Sequence, residues 1–236
     1  MKIEVLFPEI SNIYGDNGNI MYLKKCIPDV QIIETSLGDM PAFINEKVDL
    51  VYLGSMTEKM QEKAIKALIA YKNDLKTKIE QEQPFLFTGN AMEVLGKYIE
   101  NEDGSKIEGL GIIDTYSKRD MMKRYNSLFL GEFEGIKIVG FKSQFSQEYG
   151  DNTNNYFAKV IRGSGLNKES TLEGIKIKNL IATNILGPLL VLNPEFTKYF
   201  IKNILKQVNA SIIFEEEAMQ AYNKRLSEFE DERRKC

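Results

Sequence analysis

The chain contains no histidine. That absence removes Ser-His-Asp and Cys-His triads, histidine general bases and histidine metal ligands together. Any enzymatic chemistry must come from carboxylates, Lys, Tyr, Ser, Thr or Cys. Cysteine is scarce as well: Cys26 and Cys236 are the only two, too few for a disulfide framework or a zinc quartet. No apolar run approaches the ~20 residues a membrane helix needs, and no signal-peptide pattern opens the chain. A basic excess is also missing. Lys plus Arg number 31 against 34 Asp plus Glu, a net charge of −3, and without surplus cations to neutralise phosphates a dedicated nucleic-acid binder is not expected. The expectation is a cytoplasmic protein with no membrane span, no metal and no cofactor.

What remains is an ordinary globular mixture. The 236 residues are 43% hydrophobic and 28% charged, enough to bury a real core. The first half alternates strands and helices. Ile3–Phe7, Val30–Glu34, Asp49–Leu53 and Pro84–Thr88 are short apolar strands, and Ile20–Cys26 is a helical run. From Thr57 to about Ile79, Met60, Ala64, Ala67, Leu68 and Tyr71 recur at helical spacing, with Thr57 as N-cap and Glu58 in the first turn. Strands separated by helices imply crossovers and a parallel sheet. The second half differs: Arg124–Phe133, Ile136–Lys142 and Tyr156–Arg162 alternate and read as antiparallel strands added to the sheet. Leu180–Ile185 is another buried strand, and Pro194–Val208 a helix with Asn193 as N-cap. The expected fold is α/β: a mostly parallel, flavodoxin-like central sheet with helices on both faces, plus antiparallel strands. Residues 1–208 form the main domain and 209–236 a charged helical tail, in which Met219, Tyr222, Leu226 and Phe229 share one helix face. That face either packs on its own domain or docks a partner.

In open α/β sheets, sites form beyond the carboxyl ends of the strands. Two such ends stand out, Leu53-Gly54-Ser55 and Phe87-Thr88-Gly89-Asn90. The second has the layout of a nucleophile elbow, a buried strand turning sharply into a helix. Glycine accepts the strained backbone of that position but supplies no nucleophile. A small polar ligand held between Gly54, Ser55, Gly89 and Asn90, with Glu93 nearby, is the binding reading; ordinary turn residues are the plainer one. Tyr14-Gly-Asp-Asn-Gly-Asn19 lacks the Lys-Ser/Thr of a phosphate loop and reads as an Asx-type turn capping the next helix from Asn17 or Gly18. Lys118-Arg119-Asp120-Met-Met-Lys123-Arg124 is a basic loop, either a solvated face or a contact for an acidic partner.

Three stretches in order resemble the class I glutamine amidotransferase domains of the cobyric acid synthase (CobB/CobQ-like) type: Tyr14–Asn19, Asp49–Gly54 with Gln61, and Asn184-Ile-Leu-Gly-Pro-Leu-Leu-Val-Leu-Asn-Pro194. Within that group the likeness is greatest to the glutaminase subunits of lipid II isoglutaminyl synthase. The resemblance implies a cysteine thiolate attacking the side-chain amide of glutamine, a histidine base, backbone N–H groups for the oxyanion, and a synthetase partner that receives the ammonia. Gly89 stands where the family has its cysteine, Glu93 where it has a glutamine, and Leu186 where it has its histidine. Both reacting groups are missing, and losing one already costs orders of magnitude in rate. Cys26, in the first helix, is a structural cysteine on this reading, and Thr88 has no apparent base. The expectation is a catalytically degenerate subunit, without catalytic residues, that binds a Mur-ligase-like synthetase and a small ligand of the amide or amino-acid class. The alternative is an active glutaminase supplying ammonia for peptidoglycan or cobyric acid-type amidation.

Overall fold

The computed structural model describes residues 1–231 and 233; Cys236 lies outside the described residues. The strands of the first half are β1 (Lys2–Leu6), β2 (Gln31–Thr35), β3 (Leu50–Leu53) and β4 (Phe85–Thr88). They are followed by β5 (Tyr98–Glu100), β6 (Lys106–Glu108), β7 (Tyr116–Arg119), β8 (Tyr125–Phe133), β9 (Ile136–Gln144) and β10 (Ser146–Tyr149). The last are β11 (Ala158–Arg162), β12 (Leu172–Glu173), β13 (Ile175–Ile177) and β14 (Leu180–Thr183). The central sheet has six strands in the order β13-β14-β4-β3-β1-β2, all parallel except β13, which pairs antiparallel with β14.

The sheet is buried on both faces, and strand alternation divides the core. Val51, Leu53, Phe85, Phe87, Leu180 and Ala182 point to one side, against α3 (Glu58–Leu68), α4 (Lys72–Glu80) and α5 (Ala91–Leu95). Leu50, Tyr52, Leu86 and Ile181 point to the other, against α1 (Gly18–Cys26), α6 (Leu189–Leu192) and α7 (Pro194–Tyr199). The period of two on each strand therefore supplies both helix layers with an apolar floor. Glu4, buried within β1, accepts from the Ala42 and Phe43 N–H groups at 2.6 and 2.8 Å and so holds the start of the short helix α2 (Ala42–Asn45).

Several expectations need correction. The antiparallel strands do not extend the central sheet, apart from β13; they form two separate four-stranded sheets, β10-β7-β5-β6 and β12-β11-β8-β9. Their partners are one another, because β8 and β9 pair over nine residues of a hairpin. The long helix from Thr57 breaks into α3, a 3₁₀ turn at Ile69–Tyr71, and α4, although Thr57 does cap it, accepting from the Met60 N–H at 3.4 Å. Asn193 makes no side-chain cap. Its amide instead bridges to Val139, accepting from N–H and donating to C=O, both at 2.8 Å. The helix after it ends early: a wide turn at Phe200–Ile204 follows α7, and Lys206 adopts φ +58°. Lys118 and Arg119 lie on β7, and only Asp120–Arg124 is loop.

The tail forms α8 (Glu215–Glu230). Tyr222 is buried against Leu130 and Val139, with Met219, Leu226 and Phe229 packed around it. Its hydroxyl donates to the Lys137 C=O at 2.8 Å. The apolar stripe of this helix is thus spent on the β8–β9 sheet. Among the described residues no helix is long and apolar enough to cross a membrane.

Candidate functional site

The turn after β4 is a strand-to-helix corner. Gly89 has φ +59°, the left-handed region that an L side chain enters at a penalty. A Cβ built on Gly89 would stand 2.6 Å from Ser55 Cβ and 3.0 Å from Leu186 Cδ2. The elbow backbone is present, but the volume for a nucleophilic side chain is occupied. Leu186 is buried and anchored by two backbone hydrogen bonds to Phe141, at 2.8 and 3.1 Å.

Asp16 ties the neighbouring strand ends together. Its carboxylate accepts from the Ser55 N–H at 2.8 Å, from Thr88 Oγ1 at 2.5 Å and from Asn19 Nδ2 at 3.0 Å. Tyr52 Oη donates to the Asp16 C=O at 2.8 Å, and Asn19 Oδ1 accepts from the Leu190 N–H at 2.8 Å. Burial pushes the Asp16 carboxyl up, while the Thr88 and Ser55 hydrogen bonds pull it back. The glycine before Ser55 is required by packing: a Cβ on Gly54 would meet the Ser11 carbonyl oxygen at 2.4 Å. The expected Asx cap is not formed. Asn17 makes no capping bond, and its Oδ1 is buried without a partner.

A cavity of about 100 Å³ opens above the corner, and Ser55, Gly89, Asn90, Asn184 and Leu186 are among its lining residues, with Tyr14 and Arg124 toward the outside. Of the residues singled out from the sequence, Ser55, Gly89 and Asn90 line it; Gly54 and Glu93 do not. Asn90 already clamps Met56, accepting from its N–H at 3.0 Å and donating to its C=O at 2.8 Å. Ser55 Oγ donates to the Ile13 C=O at 2.8 Å, and Ser143 Oγ lies between Tyr14 Oη at 2.9 Å and Asn126 Oδ1 at 2.7 Å. Of these hydroxyls only that of Ser55 also has a carboxylate partner, Asp16, whose pKa it lowers. The short hydroxyl–carboxylate contact of Thr88 with Asp16 is fully buried and does not line the cavity. Cys26 is buried in α1, and burial raises its thiol pKa. Helix α5 spans only five residues, so its dipole adds little at the turn.

Behind the corner lies a buried polar network that the sequence motifs did not announce. Glu93 accepts from Ser146 Oγ and from Gln61 Nε2, the latter at 3.1 Å. Gln61 also donates to the Asn90 C=O at 2.6 Å and accepts from Arg119 at 2.7 Å. Burial raises the Glu93 pKa against these hydrogen bonds. Glu148 accepts from Asn184 Nδ2 at 3.1 Å, and Glu173 pairs with Lys142 where both side chains are fully buried. The available signal was alternation: Lys142 and Gln144 continue the inward face of β9 begun by Ile138 and Gly140, and Ser146 and Glu148 do so on β10.

Glu148 gives a test of this network by pH. Burial, followed by the charge of Glu93, pushes its pKa up to about 8. The unfolded chain binds this proton only below the ordinary carboxyl range near 4.5, so the folded state holds the extra proton between 4.5 and 8. The associated stability is complete below the lower value and is lost as pH rises to the upper one. In urea titrations, Glu148→Gln is expected to gain on the parent progressively from pH 5 to pH 8. Parallel curves for the two proteins would contradict the assignment.

Comparisons with known proteins agree with this geometry in fold. Residues 2–193 match the family model described as the CobB/CobQ-like glutamine amidotransferase domain. Similar curated proteins include the GatD subunits of lipid II isoglutaminyl synthase (glutamine-hydrolyzing) from Staphylococcus aureus and Streptococcus pneumoniae. The first is 30% identical over 193 residues, covering 81% of this chain and 79% of the relative. The second is 27% identical over 220 residues, covering 88% and 81%. Among solved structures, a chain of PurLQS from Thermotoga maritima superposes with a TM-score of 0.56 at 12% identity, over 95% of this chain and 98% of that one; at that identity the likeness concerns the fold.

Proposed function

The chain belongs to the CobB/CobQ-like glutamine amidotransferase domain family, and from that premise we propose that it is a non-hydrolysing amidotransferase-like subunit that binds and positions a Mur-ligase-like amide synthetase acting on peptidoglycan. The direction of the pathway is taken from the relatives, which are named as subunits of a glutamine-hydrolysing lipid II synthase. The observation that carries the loss of hydrolysis is the filled elbow: Gly89 has no side chain, and Ser55 and Leu186 occupy the space where one would stand. An oxyanion hole without a nucleophile or base retains only a small part of the catalysis.

A companion reading places a small amide or amino acid in the cavity above Gly89. It is supported by Asn184 Oδ1, an acceptor buried at the cavity without a partner. Calorimetric titration with glutamine and with alanine tests it; saturable heat supports the reading and its absence removes it.

The second reading is an active glutaminase, favoured by the short contact between Thr88 Oγ1 and Asp16. The two separate in one assay. Ammonia release from glutamine, measured with the purified chain alone and with a ligase-like synthetase present, is expected to stay at the level of a protein-free blank. Release that disappears in Thr88→Val would establish the second reading and overturn the first. Co-purification with a Mur-ligase-like protein tests the partner; failure to capture one leaves the subunit role without its object.

A further inference from the structure

We propose that the groove beside the elbow, between β7, β10 and the loop Asp120–Arg124, is a binding site for a diphosphate-bearing ligand. It has a volume of about 640 Å³, within the range of small-molecule sites. Its charge runs against that of the whole protein. Lys118, Arg119, Lys123, Arg124 and Lys168 line it, and Asp120 is the only carboxylate among the lining residues, in a chain whose net charge is −3. Arg119 is paired with Glu62, and Glu102, hydrogen-bonded to Asp120, lies near Lys123. Among the described residues, Lys118, Arg124 and Lys168 have no carboxylate closer than 3.9 Å, and a polyvalent anion relieves their mutual repulsion.

The cations are also held in place. The Arg124 guanidinium lies 4.6 Å from the centre of the Phe145 ring, Lys168 Nζ 4.9 Å from that of Tyr125, and Lys118 Nζ 5.6 Å from that of Tyr149. Such contacts restrain the side chains while leaving their N–H donors available to a ligand. Neither Arg124 nor Lys168 forms an ion pair among the described residues. Lys118 has only a long one, at 3.9 Å to Glu100.

Arg119 braces the groove from behind. Arg119, 7% exposed, uses its terminal nitrogens on Glu62, Asn101 and Gln61, yet its Nε is buried with no partner. Its side chain faces inward, opposite to that of Lys118 on β7, and offers no donor to a ligand in the groove. The concave shape favours a compact phosphate chain over the flat surface of an acidic protein. Multiple N–H donors of Arg and Lys suit the several oxygens of a diphosphate. The groove shares Arg124 and Phe145 with the cavity above Gly89, while Lys118, Lys123 and Lys168 line the groove alone.

The test is calorimetric titration of the whole chain with inorganic pyrophosphate and with ADP, at low and at physiological salt. Saturable pyrophosphate binding is expected, weakening as salt rises, and weakened at least tenfold in the double variant Lys123→Glu/Lys168→Glu. Both positions are exposed, and an unchanged melting curve will show that the variant still folds. Equal affinity for ADP and pyrophosphate places recognition in the diphosphate whatever carries it; a tenfold advantage for ADP assigns a nucleotide. The proposal is overturned if pyrophosphate shows no saturable binding at low salt, if sulfate at equal ionic strength competes as well, or if the double variant binds normally. Binding of polyglutamate without binding of pyrophosphate also overturns it, in favour of an acidic protein partner.

Discussion

Placing a thiol at the corner by Gly89→Cys is expected to destabilise the fold by about 2–5 kcal/mol and to yield no glutamine hydrolysis. The first part follows from two separate penalties. A non-glycine residue at φ +59° is strained by about 1–2 kcal/mol. The new Cβ at 2.6 Å from Ser55 Cβ overpacks the wall beneath the cavity, which typically costs about 1–3 kcal/mol. In a chain of this size each kcal/mol lowers Tm by about 2–4 °C, so the loss is readily measured by thermal melting. Ser55→Gly in the same chain removes the nearest obstructing atom and should recover part of the loss, even though it gives up the Ser55 hydrogen bond to Ile13. On the proposed reading, activity would still lack a base, because Leu186 stands where the resemblance places the histidine. An unchanged Tm in Gly89→Cys would mean that the elbow has room, and the steric case for a silent site would fail with it.

The second large effect lies behind the elbow. Lys142→Met should cost about 3–5 kcal/mol, the usual result of leaving one member of a buried ion pair alone. Lys142 Nζ bonds Glu173 and, at 2.5 Å, the Gly165 C=O. Glu173 in turn receives Thr183 Oγ1 and the Asn184 N–H, each at 2.8 Å. It therefore connects β12 to the carboxyl end of β14, next to the turn that carries Leu186. Adding Glu173→Gln to Lys142→Met removes the stranded charge while keeping an acceptor for Thr183. The double variant should be more stable than Lys142→Met, a coupling that a thermodynamic cycle from urea titrations will measure. Additive losses would mean that the two groups contribute separately and that the pair does not organise the site.

These two experiments probe different kinds of information. The elbow was legible from local order. A continuous apolar strand ending in Thr88-Gly89-Asn90 and followed by a helical run can form little else, because a strand buried on both faces must turn sharply where its apolar residues stop. The central sheet was legible for the same reason. Leu50–Leu53, Phe85–Thr88 and Leu180–Thr183 are each buried throughout, and each carries that burial in its composition. The assignment of the alternating strands to the central sheet failed because alternation specifies one buried face but not which partner covers it. Likewise the Asn193 amide was read as a cap from its neighbours, yet Val139, 54 positions away, took it.

By itself, then, the amino-acid order determined the α/β class, the place of the strand-to-helix corner, the glycine at that corner and the absence of histidine. Those properties depend on composition and on neighbours a few residues apart. Only the tertiary structure decided that Ser55 and Leu186 fill the space above Gly89, that Asp16 is spent on Ser55 and Thr88, and that Glu93, Glu148, Glu173 and Lys142 form a buried network. It also decided that Lys168 joins the cations of the β7 region in one groove. Each of these is a meeting of residues far apart in the chain, set by how sheets pack, and local sequence carries no term for that.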